Sequence, residues 1–196
     1  MKNLVVFASG SGSNFQSIID AINDEKLDAR ITGFISNNNS VRSVQRAQEN
    51  NIPVLISNPS DFESEEGYAK NTLKQLAKWD ADLLILAGYL KKIPLEIIKN
   101  YNQRILNIHP SLLPKYGGKG FYGIKVHQAV VENKEKESGC TVHVVTEEYD
   151  EGPILGQLKV EVLPSDTVAD LSKKVLEQEH KLFPEIIQKY LQTLNN

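Results

Sequence analysis

A single cysteine, Cys140, is the only thiol in this sequence. One thiol can neither close an intramolecular disulfide nor build a cysteine-cluster metal site, so a reducing compartment is the expected setting. Long apolar runs are missing too. The first, Leu4 to Ala8, stops after five residues, well short of the roughly 18 that span a bilayer and too short for a secretory signal. Cationic excess is a third absence: 22 Lys and Arg against 25 Asp and Glu give a formal net charge of −3. That balance argues against sustained contact with nucleic-acid phosphates. The expectation is a cytoplasmic protein with a small-molecule ligand, without a nucleic-acid or membrane partner; one sequence does not reveal its oligomeric state.

Several chemical signatures are absent as well. No His-Glu-x-x-His or His-x-His spacing occurs, so no metal site is expected. A Gly-x-Ser-x-Gly nucleophile elbow is not formed, because the overlapping options around Ser11 and Ser13 are broken by loop composition and Phe15. Gly10-x-Gly12 lacks the third glycine of a dinucleotide fingerprint, since Phe15 stands in its place. The second strand leads into Ser36-Asn37-Asn38-Asn39 instead of an acidic ribose ligand. No Gly-Lys-Ser/Thr completes a nucleotide-triphosphate loop.

What is present is a rhythm. With 196 residues, 40% of them hydrophobic, the chain can bury about 70% of its unfolded surface around one core, and one domain over 1–196 is expected. Strand-length apolar runs alternate with segments of helical period: strands at 4–8, 31–35, 54–56, 82–87 and 105–109, with helices around 13–22, 41–50, 68–76 and 93–100. Such alternation predicts an α/β fold, a Rossmann-like mixed sheet, mostly parallel, with helices on both faces. A helix at 124–132 and two strands at 141–145 and 155–162 bring the count to about seven strands. Residues 167–194 carry helical period, and Pro184 predicts a kink or break. Ser13 reads as the N-cap of the first helix.

Three segments carry candidate chemistry. Ser9-Gly-Ser-Gly-Ser-Asn14 lies between the first strand and first helix, where backbone N–H groups and a helix N-terminus favour an anion. With nucleotide patterns excluded, it suits a single phosphate; a tight turn without ligand is the alternative. In Asn107-Ile-His109 the period of two puts Asn107 and His109 on one side of a strand end, where an amide and an imidazole can hold a carbonyl and stabilise charge on its oxygen. Asp150, in a Gly/Pro-bounded turn, is expected to approach His109 and raise its pKa. Lys115 to Gly123, with four glycines in nine residues, is a mobile-loop candidate. His127, His143 and His180 receive less weight, each inside a regular element.

Gly10-Ser-Gly-Ser-Asn14, Asn107-Ile-His-Pro-Ser-Leu-Leu-Pro114 and Asp150-Glu-Gly-Pro153 together resemble the folate-dependent formyltransferases, over about residues 2 to 190. The resemblance, strongest to the branch acting on glycinamide ribonucleotide, implies formyl transfer from 10-formyltetrahydrofolate, as cosubstrate, to the glycinamide amine of that ribonucleotide, on the de novo route to IMP. It implies that Asn107 and His109 stabilise a tetrahedral oxyanion and relay a proton, with Asp150 tuning His109. Gly12, Ser13 and Asn14 would hold the substrate phosphate and Glu179 its ribose. Leu90, Lys91, Lys92, Ile93 and Asn107 would contact the folate. Two departures stand out: Glu65 and Glu66 occupy a segment where many relatives carry a folate-contacting Arg, and the loop from Lys115 is longer and more basic than in many bacterial relatives. Its Lys115, Lys119 and Lys125 are candidates for the folate's glutamate tail.

Other readings are a methionyl-tRNA formyltransferase or a formyltetrahydrofolate hydrolase. The extra domains these carry are not expected beside a first strand at residue 4 and an end soon after the long helix. A non-catalytic phosphate-ligand module on a similar sheet is the reading from another class.

Overall fold

The computed structural model describes residues 1–194, so the last two residues of the expected 1–196 domain lie outside the described residues. In chain order the strands are β1 (Lys2–Phe7), β2 (Ala29–Ser36), β3 (Val54–Ile56), β4 (Leu83–Leu86), β5 (Ile105–His109), β6 (Glu137–Val144) and β7 (Ile154–Glu161). The helices are α1 (Ser13–Asn23), α2 (Arg42–Glu49), α3 (Glu65–Lys78), α4 (Leu95–Asn100), α5 (Ile124–Glu132) and α6 (Val168–Thr193), with a 3-10 turn at Pro59–Asp61. All seven strands form one sheet in the order β3-β2-β1-β4-β5-β6-β7. The first five pair in parallel, and β6 and β7 run antiparallel.

β1 shows why its sequence is a strand with no polar face. Leu4 to Phe7 are fully buried, because each face of the sheet is covered, as parallel sheets require. Leu4 and Val6 join a core with Phe15, Ile18, Phe183 and Ile187, whereas Val5 and Phe7 join a second core with Ala69, Leu76 and Ile97. Phe15 stacks on Phe34 with ring centroids 4.7 Å apart, and truncating either ring costs roughly 3–5 kcal/mol. From β1 the chain winds outward to β2 and β3, then returns to β4 on the other flank of β1. The order therefore reverses between β1 and β4, and in open α/β sheets ligands bind at the strand carboxyl ends beside such a reversal.

Boundaries differ from the sequence reading by small amounts at most elements, as fraying ends do. β6 is the larger case, starting at Glu137 instead of Thr141. Two other expectations need correction. Ser13 is the first helical residue, not the cap; Gly12, left-handed at φ 70°, holds the cap position with no side-chain bond. Of the kink or break expected at Pro184, the break does not occur: α6 runs through the proline as one helix. Leu182, Phe183, Ile186 and Ile187 pack into the core on both sides of the proline, and that burial outweighs the missing backbone bond. A Thr167/Asp170 capping box fixes where α6 begins. α4 begins at Leu95, with Pro94 as its cap residue.

Candidate active site

At the reversal point the ends of β1, β4 and β5 open into a cavity of about 560 Å³, a size suited to small-molecule ligands. It is lined by Gly10 to Asn14, Leu90 to Ile93, Asn107, His109, His143, Asp150 and Glu179, among others. The three candidate segments, spread over 140 positions of sequence from Gly10 to Asp150, thus share one cleft.

The glycine loop is built around Gly12. A Cβ there would meet Ser43 Cβ at 2.6 Å and Ser43 Cα at 2.9 Å, and φ is positive, so glycine is required. Ser43 in turn donates its backbone N–H to the Gly10 carbonyl, at 3.2 Å, locking the loop against α2. Asn14, buried beneath the loop, donates from Nδ2 to Glu179 Oε2 at 2.6 Å. Its Oδ1 is buried without a partner, leaving an acceptor for a ligand hydroxyl. Burial pushes the Glu179 carboxyl up to about 7, against the opposing pull of Asn14.

Asn107 and His109 point from one side of β5, as the period of two requires, and β6 supplies a partner that received little weight in the sequence. His143 lies opposite Asn107 in the antiparallel pairing, with its Nε2 3.0 Å from Asn107 Nδ2. Its Nδ1 sits 3.0 Å from the Val144 carbonyl, so Nε2 is the ring atom turned to both Asn107 and the Asp150 carboxylate. One Asn107 N–H remains for a ligand. Asp150, left-handed at φ 58°, reaches both imidazoles: Oδ2 is 3.5 Å from His109 Nδ1 and Oδ1 is 3.4 Å from His143 Nε2. The Gly118 N–H donates to Asp150 Oδ2 at 2.9 Å. Burial alone would raise the Asp150 carboxyl; the His143 contact, the His109 charge and the Gly118 N–H together hold it below its usual range.

The expected rise in the His109 pKa is not the net result. His109 is 4% exposed, and burial lowers its pKa below the usual value of 6.5, although Asp150 and the Tyr116 carbonyl both favour the charged form. Its Nε2 donates to that carbonyl at 2.7 Å, so Nε2 bears the proton of the neutral ring. His127, on α5, also lines the cavity; burial, with His109 nearby, brings it down to about 4, and its Nδ1 is buried without a partner. Burial pushes the Cys140 thiol up to about 12, which leaves it inert as a nucleophile.

Among the other expected contacts, Leu90, Lys91 and Lys92 are exposed at the cavity mouth and Ile93 is buried below them. Lys92 Nζ lies 5.6 Å from the Tyr149 ring centroid. Of the three loop lysines only Lys119 lines the cavity. Lys115 instead pairs with Glu135 at 3.1 Å, and Lys125 Nζ bonds the Tyr122 hydroxyl at 2.9 Å. Glu65 and Glu66 do not line the cavity; they occupy the first turn of α3, where carboxylates favour the helix dipole. Among the described residues there is no cluster suited to a metal ion, and no helix is long and apolar enough to cross a membrane.

A family model described as formyl transferase matches residues 2–187. A chloroplastic phosphoribosylglycinamide formyltransferase of Arabidopsis thaliana is 44% identical over 187 residues, covering 95% of this chain and 64% of its own length. The chain thus spans a little under two thirds of that plant relative. The Escherichia coli phosphoribosylglycinamide formyltransferase is 36% identical, covering 94% of this chain and 85% of its own. Among solved structures, glycinamide ribonucleotide transformylase 1 from Symbiobacterium toebii superposes with a TM-score of 0.92 at 34% identity, over 98% of this chain and 89% of that one.

Proposed function

Because the chain belongs to the formyl transferase family, we propose that it transfers the formyl group of 10-formyltetrahydrofolate to the amine of glycinamide ribonucleotide, in purine biosynthesis. Residues 1–196 act as one formyltransferase domain in this reading, working in the cytoplasm on small-molecule substrates. The observation that carries it is the meeting of Asn107, His109 and Asp150 with the Gly12 loop and Glu179 on one cavity.

The amine lone pair attacks the formyl carbon, and the carbonyl electrons move onto its oxygen. Asn107, with one N–H not engaged by His143, and His109, through Nε2–H, donate to that oxyanion. Preorganised donors of this kind are typically worth about 10²–10³ each in rate. The former amine then loses a proton, which passes by way of His109 and Asp150 to N10 of the folate as the bond from carbon to N10 breaks. Formylglycinamide ribonucleotide and tetrahydrofolate are the products. Gly12, Ser13 and Asn14 hold the phosphate through backbone N–H groups at the α1 terminus, Glu179 receives the ribose hydroxyls, and Leu90, Lys91, Lys92 and Ile93 flank the folate with Asn107.

Purified protein given both substrates should release tetrahydrofolate only when the ribonucleotide is present. Formate release without the amine would instead assign hydrolysis, and no turnover at all would sink the reading. His109→Ala should abolish transfer while ribonucleotide binding persists; retained turnover would remove His109 from the catalytic role assigned to it.

A further inference from the structure

Ser9 follows β1 and does not line the cavity, yet its side chain ties three strand ends together. Its hydroxyl donates to Asn37 Oδ1, just past β2, at 2.6 Å. The same oxygen accepts the Leu90 N–H, just past β4, at 2.9 Å, and the Ser9 N–H donates to the Gly88 carbonyl at 3.0 Å. A hydroxyl has one proton, so the amide oxygen of Asn37 fixes its direction and aims a lone pair at Leu90. Gly88, at φ 80°, turns the chain so that this N–H faces Ser9. On the other side of Ser9 the backbone runs directly into Gly10 to Asn14. One hydroxyl therefore sets the separation between the anion loop and the turn at residues 88–93, across the point where the sheet order reverses.

From this geometry we infer that Ser9 is a positioning residue, which holds the Leu90–Ile93 turn in register with the anion loop so that the two substrates meet at the right distance. The inference rests on the proposed reaction, in which that turn flanks the formyl donor. In Ser9→Ala the Leu90 N–H and Asn37 Oδ1 lose their shared partner; Tyr89 and Ile93 stay anchored in the second core, and of the direct ties to the β1 end only the Ser9 N–H to Gly88 bond persists. The change acts on the donor side, because the anion loop keeps its own lock through Gly12 and Ser43.

Steady-state kinetics of the purified full chain test this. Ser9→Ala should raise KM for the formyl donor about tenfold, with kcat and the ribonucleotide KM changed less than about threefold, and Ser9→Thr, which keeps the hydroxyl, should restore the donor KM. Asn37→Leu, which retains Ser9 but frees its hydroxyl to rotate, should raise the donor KM in the same direction, and it serves as the test if Ser9→Ala does not fold. A role confined to stability would lower the melting temperature and the active fraction, leaving both KM values alone; that result, or equal rises in both KM values, overturns the inference. Failure of the wild type to turn over would instead remove the reaction on which it rests.

Discussion

The Nε2 of His109 lies 2.7 Å from the carbonyl oxygen of Tyr116, so the donor that the proposed chemistry needs is engaged by the protein's own backbone. Two residues further on, the Gly118 N–H holds Asp150. The Lys115–Gly123 loop thus covers both members of the pair, and a formyl oxygen reaches His109 only after the Tyr116 carbonyl withdraws. Histidine 15N chemical shifts should therefore change at Nε2 when the formyl donor binds, while Nδ1 keeps facing Asp150.

Asp150→Asn removes the carboxylate that supports the charged form of His109, while burial, the larger influence, stays. The His109 pKa should then fall further below its already depressed position, as read by NMR titration of the ring. Transfer should drop by about 10² or more, with the fold intact by circular dichroism. An unchanged His109 titration would remove Asp150 from its assigned role.

Glu179 gives the ligand-free protein a pH dependence of definite sign. Its folded pKa of about 7 lies above the ordinary carboxyl value of about 4.3. A raised pKa means that the folded state holds its proton more tightly, so this contribution to stability is full below about 4.3 and is lost as pH rises through about 7. Glu179→Gln should flatten the decline in melting temperature over that window and stabilise the ligand-free protein at pH 8 by an amount on the order of 3 kcal/mol. The same variant should bind the ribonucleotide more weakly, because a ribose acceptor is gone.

Gly12→Ala combines a left-handed backbone with a contact of 2.6 Å to Ser43 Cβ. Denaturant unfolding should show a loss of about 1–2 kcal/mol from the backbone conformation alone, and inorganic phosphate should cease to compete with the ribonucleotide. Normal competition by phosphate would show that this loop is not the anion site.

Much of this organisation is legible in the chain because local periodicity and burial agree. β3, β5 and α5 fall on the residues their patterns predict, and the period of two along Asn107-Ile-His109 gives the facing of the two polar side chains. His143 was not legible as a partner. Alternating with Val142 and Val144 it reads as one more strand residue, and only the register between β5 and β6 puts it opposite Asn107. The pKa of His109 is not legible for a related reason: a neighbouring carboxylate follows from motifs, whereas the depth of burial comes from the assembled layers. The start of β6 is not legible because Ser138 and Gly139 carry no strand signal of their own; both are buried and pair with β7.

Asp150 stands 41 residues beyond His109 and arrives only with the hairpin of β6 and β7, whose antiparallel strands extend the sheet past β5. During synthesis, the five parallel strands and the glycine loop leave the ribosome before the carboxylate that faces the imidazole exists. A nascent or truncated chain ending near α5 would carry the means to attract a phosphate but no complete machinery for moving a formyl group. In the proposed reaction, reactivity is thereby withheld until the last third of the polypeptide has docked.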